Sequence, residues 1–260
     1  MTEGTIREAY RRVTHAAYRL MAERGGGSVV DDRGLLLASG PHPHAVIANA
    51  AFRMDRTVDA DDALARARSH YAERGFHFAF NTSVDDDADI DEAAAAAGWQ
   101  AILDLPGMVV EHRIADAEPA EGVTLRRADP RVDGASFGDI AGVCFADDDD
   151  EAAGYRALFA SGDLLEGPAC AAWIAAVDGR DAAIGWVAVD GDAGLVGWIG
   201  TLPEARRRGI GTVVTRAATN EAFDRGARIV ALQASSQGFP VYERLGYRTV
   251  ATERIWLPPG

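Results

Sequence analysis

A chain that repeats one supersecondary unit must fold as two related bodies, and this chain carries such a repeat. Asp224-Arg225-Gly226 closes an amphipathic helical stretch and precedes the apolar run RIVALQAS, while Glu73-Arg74-Gly75 closes another and precedes FHFAFNTS. With the two tripeptides superposed, strand falls on strand, and Gly246-Tyr247 matches Gly98-Trp99 after a small insertion or deletion. Self-similarity of this kind points to a divergent tandem duplication. Length agrees: 260 residues, 48% of them apolar, suit two bodies of ordinary size better than one. The small, acidic, proline-containing stretch ADAEPAEG, residues 115–122, reads as a linker. It divides a first domain, residues 1–118, from a second, residues 119–260.

Apolar positions at helical spacing run over residues 5–24, where three glycines stop the helix. Two strand-like runs follow, SVVDDRGLLLAS and AVIANAAFRM, then a helix over DALARARSHYAERG, the strand FHFAFNTS, an alanine-rich helix and a strand around PGMVVEHR. After the linker, VTLRRA starts a strand, ASFGDIAGVCFA and AAGYRALFA read as helices, and CAAWIAAVDG, AAIGWVAVD and AGLVGWIGT read as strands joined by Asp-Gly turns. A helix over GIGTVVTRAATNEAFDRG, the buried strand RIVALQAS, a short helix at PVYERLGY and a last strand TVATERIWL complete the chain. The fold class is a mixed α/β layer, a central sheet flanked by helices, with a mostly antiparallel first half in the second domain.

All 26 basic residues are arginine, against 40 Asp plus Glu, for a net charge of −14. Without lysine there is no Schiff base, no Ser–Lys dyad and no Walker-type phosphate loop. The acidity argues against nucleic acid as the main partner. No run approaches the roughly 20 apolar residues of a bilayer span, so a soluble, cytoplasmic protein with no membrane partner is expected. Cys144 and Cys170 have no zinc-like spacing and read as reduced. The pair His42 and His44 reads as surface residues on a proline-bounded turn, and no metal is expected.

One segment concentrates chemistry. In TLPEARRRGIGT, residues 201–212, a buried strand meets a helix through Gly209 and Gly211, beside Arg206, Arg207 and Arg208. The glycines allow a tight turn and close approach, and the first amides of a helix have no internal partner. Such an end binds anions, and the arginines supply further donors for phosphate.

Arg206-x-x-Gly209-x-Gly211 is similar to the R/Q-x-x-G-x-G/A motif of the GCN5-related N-acetyltransferase (GNAT) superfamily. About thirty residues later Tyr242-x-x-x-Gly246-Tyr247 resembles that family's second signature, and the resemblance covers roughly residues 123–257. It implies two tandem acyl-CoA N-acyltransferase folds with acetyl-CoA lying in a splay between strands that end near Thr201 and Ser235. Main-chain groups of Ile199, Gly200 and Thr201 would hold the pantetheine arm, and amides from Arg206 through Ile210 to Thr212 the pyrophosphate. Ser235 stands where the family often has Asn, and Tyr242 where it places a phenol close to the thioester sulfur.

The second domain has neither His nor Lys to activate a nucleophile, so direct attack by an amine on the thioester is expected, with Tyr242 as the acid for the departing thiolate. A family glutamate on the strand before the loop is missing from LVGWIG, which leaves water, Asp190, Asp192 or Glu151 as the base. The run Asp147 to Glu151 reads as a solvated helix cap. In the first domain the loop positions become Asp55, Val58 and Ala60, with Asp59, Asp61 and Asp62 opening the helix, and the Tyr242 position becomes alanine. Carboxylates there repel phosphate, so this domain is expected to bind no cofactor and to serve the acceptor pocket or a homodimer contact. The acceptor would be a primary amine of a small molecule or peptide. The alternative is a non-catalytic CoA-binding regulatory or scaffolding protein. The missing lysine and the acidic runs also suit a salt-rich cytoplasm; stability in molar KCl against dilute buffer tests that.

Overall fold

The computed structural model describes residues 1–259. The first half comprises α1 (Glu3–Arg24), β1 (Ser28–Asp32), β2 (Leu35–Ser39), β3 (Ala50–Arg53), α2 (Ala60–Ala72), β4 (Ala79–Ser83), α3 (Ala88–Ala96) and β5 (Gln100–Val110). Residues 115–122 lie outside helix and strand. The second half comprises β6 (Val123–Arg127), α4 (Gly134–Phe145), α5 (Asp149–Phe159), β7 (Glu166–Gly167), β8 (Cys170–Val177), β9 (Arg180–Asp190), β10 (Ala193–Thr201), α6 (Ile210–Asp224), β11 (Ile229–Gln233), α7 (Phe239–Arg244) and β12 (Arg248–Leu257).

Two sequence expectations change. The run 28–39 is a hairpin rather than one strand, turning at Arg33 and Gly34, both at positive φ. The run 45–54 contributes only Ala50–Arg53, because buried Asn49 holds the preceding residues in a loop by donating to the carbonyls of His42, Pro43 and His77.

The duplication is visible in the topology. β3, α2 and β4 form a parallel crossover in the first half, as β10, α6 and β11 do in the second. The strands form one sheet in the order β1-β2-β3-β4-β12-β5-β11-β10-β9-β8-β6, with β7 beside β8. The closing strands are therefore exchanged. β5, from the first half, pairs with β11 over Gly107–Val110, while β12, from the second, pairs with β4 over Glu253–Trp256. Each carries its side chains into the other half's core: Met108 and Val110 pack with Tyr242 and Tyr247, and Trp256 packs with Tyr71, Phe80 and Trp99.

α1 reinforces this fusion. It touches β1 and β2, then β12 in the middle of the sheet, and β9, β10 and β11. One core therefore joins Leu36 and Phe52 of the first half to Trp186 and Trp198 of the second through Tyr10 and Met21. An amphipathic helix with one narrow stripe could not do this; α1 buries Ile6, Tyr10, Val13, Ala17, Tyr18 and Met21, which cover a wide arc.

Candidate functional site

The parallel pair β10 and β11 ends on one edge of the sheet, and α6 leads from the first to the second. Their pairing runs from Ala193↔Ile229 to Val196↔Leu232 and then stops, while β10 continues to Thr201. A bulge between Gly197 and Gly200, with Trp198 at φ +52°, shifts β10 against β9 at this point. Bulges bend and twist a strand, and here the bend opens a gap between the strand ends. In the first half β3 and β4 stay paired to Phe52↔Asn81 and β3 ends one residue later.

Beyond Thr201 the chain makes a single 3-10 turn at Pro203–Ala205, and the Arg206 Nε–H donates to the Thr201 carbonyl at 3.0 Å. Arg207 and Gly209 both have positive φ, +62° and +75°, and Gly209 caps α6 with no side-chain cap. The Thr212 and Val213 amides bond to the Gly209 carbonyl. Among the described residues, the amides of Arg207 to Gly211 find no acceptor. The space in front of them is open, since a Cβ on Gly209 would meet nothing within 4 Å. Arg206 and Arg207 are exposed and in no ion pair among the described residues, and Arg208 lies a loose 3.9 Å from Asp178. Successive amides and a helix start face one open space, with Arg206, Arg207 and Arg208 on the same loop.

Tyr242 approaches from the other strand. The Ser235 carbonyl and Oγ accept from the Gly238 amide, which begins α7, and the Tyr242 ring lies against Gly238 so closely that a Cβ there would sit 3.0 Å from Oη. The phenol is thus held at the C-terminal end of β11. It is 7% exposed, and burial pushes its pKa up to about 12, so it keeps its proton at neutral pH.

The fold therefore gathers Ile199, Gly200, Thr201, the residues from Arg206 to Thr212, Ser235 and Tyr242 on one edge. Asp190 and Asp192 do not join them. They sit at the β9–β10 turn, at the far end of β10, where Arg12 pairs with both. Glu151 is occupied too: it accepts from the Asp147 amide and from the Tyr155 hydroxyl, and Asp148 caps α5 by accepting from the Glu151 amide at 2.8 Å. One neighbour had no sequence signal. Cys144 lies against Gly200, where a Cβ would be 3.1 Å from its Sγ, and burial raises its pKa despite the nearby Arg206 guanidinium. It stays a thiol at neutral pH.

In the first half the same positions are filled with carboxylates. Asp59 caps α2 by accepting from the Asp62 amide at 3.1 Å, and Arg53, at the end of β3, is buried between Asp87 and Asp89. The rings of His42, His44 and His77 lie tilted against one another, His44 between the other two, and no group of three or more His, Cys, Asp or Glu among the described residues could hold a metal ion. No helix of the described residues is long and apolar enough to cross a membrane.

Residues 168–249 match the family model of an acetyltransferase (GNAT) domain. No curated protein matches the chain in sequence. Solved structures do. A GCN5-related N-acetyltransferase from Kribbella flavida is 22% identical, with 97% of this chain and 96% of that one covered and a TM-score of 0.75. One from Sphaerobacter thermophilus is 15% identical, covering 94% and 93%, with a TM-score of 0.62. A tandem GNAT protein from the clavulanic acid biosynthesis pathway, solved without AcCoA, is 17% identical, covering 89% and 82%, with a TM-score of 0.57. At these identities the likeness is one of fold. The chain thus shares the fold of these GNAT structures along its length, and the acetyltransferase (GNAT) domain model matches it around the glycine–arginine loop.

Proposed function

We propose that the second half moves an acetyl group from acetyl-CoA directly to a primary amine of a small molecule or peptide, and that the first half holds no cofactor. The observation that carries this reading is the run of unsatisfied amides from Arg207 to Gly211, facing open space beside a parted strand pair. When bound, acetyl-CoA supplies an activated thioester carbonyl. Backbone from Ile199 to Thr201, free of β11, is positioned to bind the pantetheine arm and orient that carbonyl. The amides and the guanidinium groups of Arg206, Arg207 and Arg208 hold the pyrophosphate charge. Tyr242 Oη, protonated and at the end of β11, donates its proton at the sulfur.

Exposed carboxylates at Asp147 and, in the first turn of α5, at Asp149 and Asp150 give this end of the molecule a field that favours cationic amines. With Asp190 and Asp192 at the wrong end of β10, water is the remaining carrier for the amine's proton.

Reversing all three arginines to Glu is expected to weaken CoA binding about 10²–10³-fold, because two or three charge-assisted contacts are lost and replaced by repulsion. Calorimetric titration reads this, and unchanged affinity would overturn the site. Steady release of CoA thiol with a panel of amines separates transfer from mere binding: a protein that binds CoA and releases none is a scaffold or regulator.

A further inference from the structure

Where β10 runs on alone past β11, its two faces are unlike. The Leu202 amide donates to the Ala182 carbonyl, and Gly200 stands opposite Ile184 on β9. Alternate residues of an antiparallel ladder turn their main-chain groups the other way, so those of Ile199 and Thr201 look into the gap that β11 leaves. The Ile199 side chain turns to the α6 face, where it packs with Val214. Gly200 turns to the opposite face, that of α4, and there the gap is walled. A Cβ on Gly200 would lie 3.1 Å from both Cβ and Sγ of Cys144 and 3.2 Å from Cε2 of Phe145, closer than the best separation of two carbon atoms.

The wall is braced from behind. Phe145 ends α4 and meets the Trp198 ring edge-on at 5.2 Å. That ring is held edge-on in turn by Tyr155 at 5.3 Å and Phe159 at 5.1 Å, and its Nε1–H points at Met21 Sδ, 3.2 Å away. Trp198 lies in the bulge at positive φ, so the bend that parts the strands also seats the wall. Cys144 is half-buried with the Arg206 guanidinium beside it, and Arg206 is tied to the Thr201 carbonyl.

The free loop amides lead into α6, and Tyr242 belongs to the core on that same face of the sheet. A thioester with its diphosphate on the loop and its sulfur at Tyr242 therefore carries its acyl group across the gap toward α4. We propose that Cys144 and Phe145 form the floor of the acyl pocket and restrict the donor to acetyl, an inference that rests on the acyl-transfer reading. Each further carbon would have to displace a side chain that is already in close contact, and packed interiors resist that.

The test is calorimetric titration of the full chain with CoA, acetyl-CoA, propionyl-CoA and butyryl-CoA. In the wild type acetyl-CoA should bind within about threefold of CoA, propionyl-CoA about tenfold and butyryl-CoA about 10²-fold more weakly than acetyl-CoA. Cys144→Ala removes the sulfur and should bring butyryl-CoA to within about tenfold of acetyl-CoA, whereas Cys144→Leu fills the floor and should weaken acetyl-CoA about tenfold. CoA, which has no acyl group, should bind all three proteins alike. Iodoacetamide labelling read by mass spectrometry gives a second measure: Cys170, wholly buried, is the unreactive reference, and acetyl-CoA should slow labelling of Cys144 several-fold beyond what CoA does. Butyryl-CoA as tight as acetyl-CoA in the wild type, undiminished discrimination in Cys144→Ala, or equal labelling under CoA and acetyl-CoA would overturn the proposal while leaving the acyl-transfer reading in place. No heat with CoA itself would remove that reading, and this inference with it.

Discussion

Tyr242→Phe is expected to lower kcat about 10²–10³-fold while leaving the Kd for acetyl-CoA within about twofold. The hydroxyl matters only once negative charge develops on the leaving sulfur, so its removal should be felt in turnover and hardly in ground-state binding. Its high pKa, a consequence of burial, means the wild-type phenol is the proton-bearing form across the neutral range. The substitution should also be structurally mild. Among the described residues the Tyr242 hydroxyl makes no hydrogen bond, and the ring, which packs with Tyr247 and lies on Gly238, is retained. Gly238 and Ser235 still set its position through the start of α7. Steady-state thiol release combined with calorimetry gives both quantities, and a kcat within twofold of wild type would remove Tyr242 from the chemistry.

The parts of this site that were legible in sequence are the ones local geometry dictates. A glycine needed at positive φ and a helix start with free amides leave a trace within a dozen residues, as Gly209 does. Asp190 and Asp192 could have been excluded on the same grounds. Nine residues of strand separate Asp192 from Thr201, about 30 Å at the usual rise, and the Asp-Gly turn already marked the far end. The exchange of β5 and β12 left no such trace. Both strands would satisfy either half's core, and pairing partners distant in sequence are chosen by tertiary fit, as Trp256 shows by packing on Tyr71 and Phe80. The loop before β3 was hidden for a related reason. Its apolar residues read as a strand, and a single buried asparagine, Asn49, decides otherwise by capturing three carbonyls.

The exchanged strand also carries the ionisable group with the largest expected effect on stability. Glu253→Gln is expected to stabilise the protein at alkaline pH and to do little below pH 5. Burial, with Asp87 and Asp86 adding repulsion, raises the Glu253 pKa from 4.5 to about 8. Between those values the folded state holds a proton that the unfolded state has lost. Stability from this group is therefore complete below about pH 4.5, falls as pH rises, and is gone above about pH 8. The full span corresponds to at most about 4–5 kcal/mol. His15 runs the other way, because burial together with Arg11 and Arg19 lowers its pKa from 6.5 to about 3. Its contribution is present above pH 6.5 and is lost as pH falls toward 3, so the two groups together favour a stability maximum on the acid side of neutrality. Glutamine keeps the shape of the side chain and removes the alkaline loss while leaving the acid limb to His15. Urea unfolding at pH 6 and pH 9 should show the wild type losing several kcal/mol between the two and Glu253→Gln losing little. Parallel losses in both proteins would mean that Glu253 is already ionised in the fold, with a counter-charge or water path beside it that the arrangement of Asp86, Asp87 and Tyr10 does not provide.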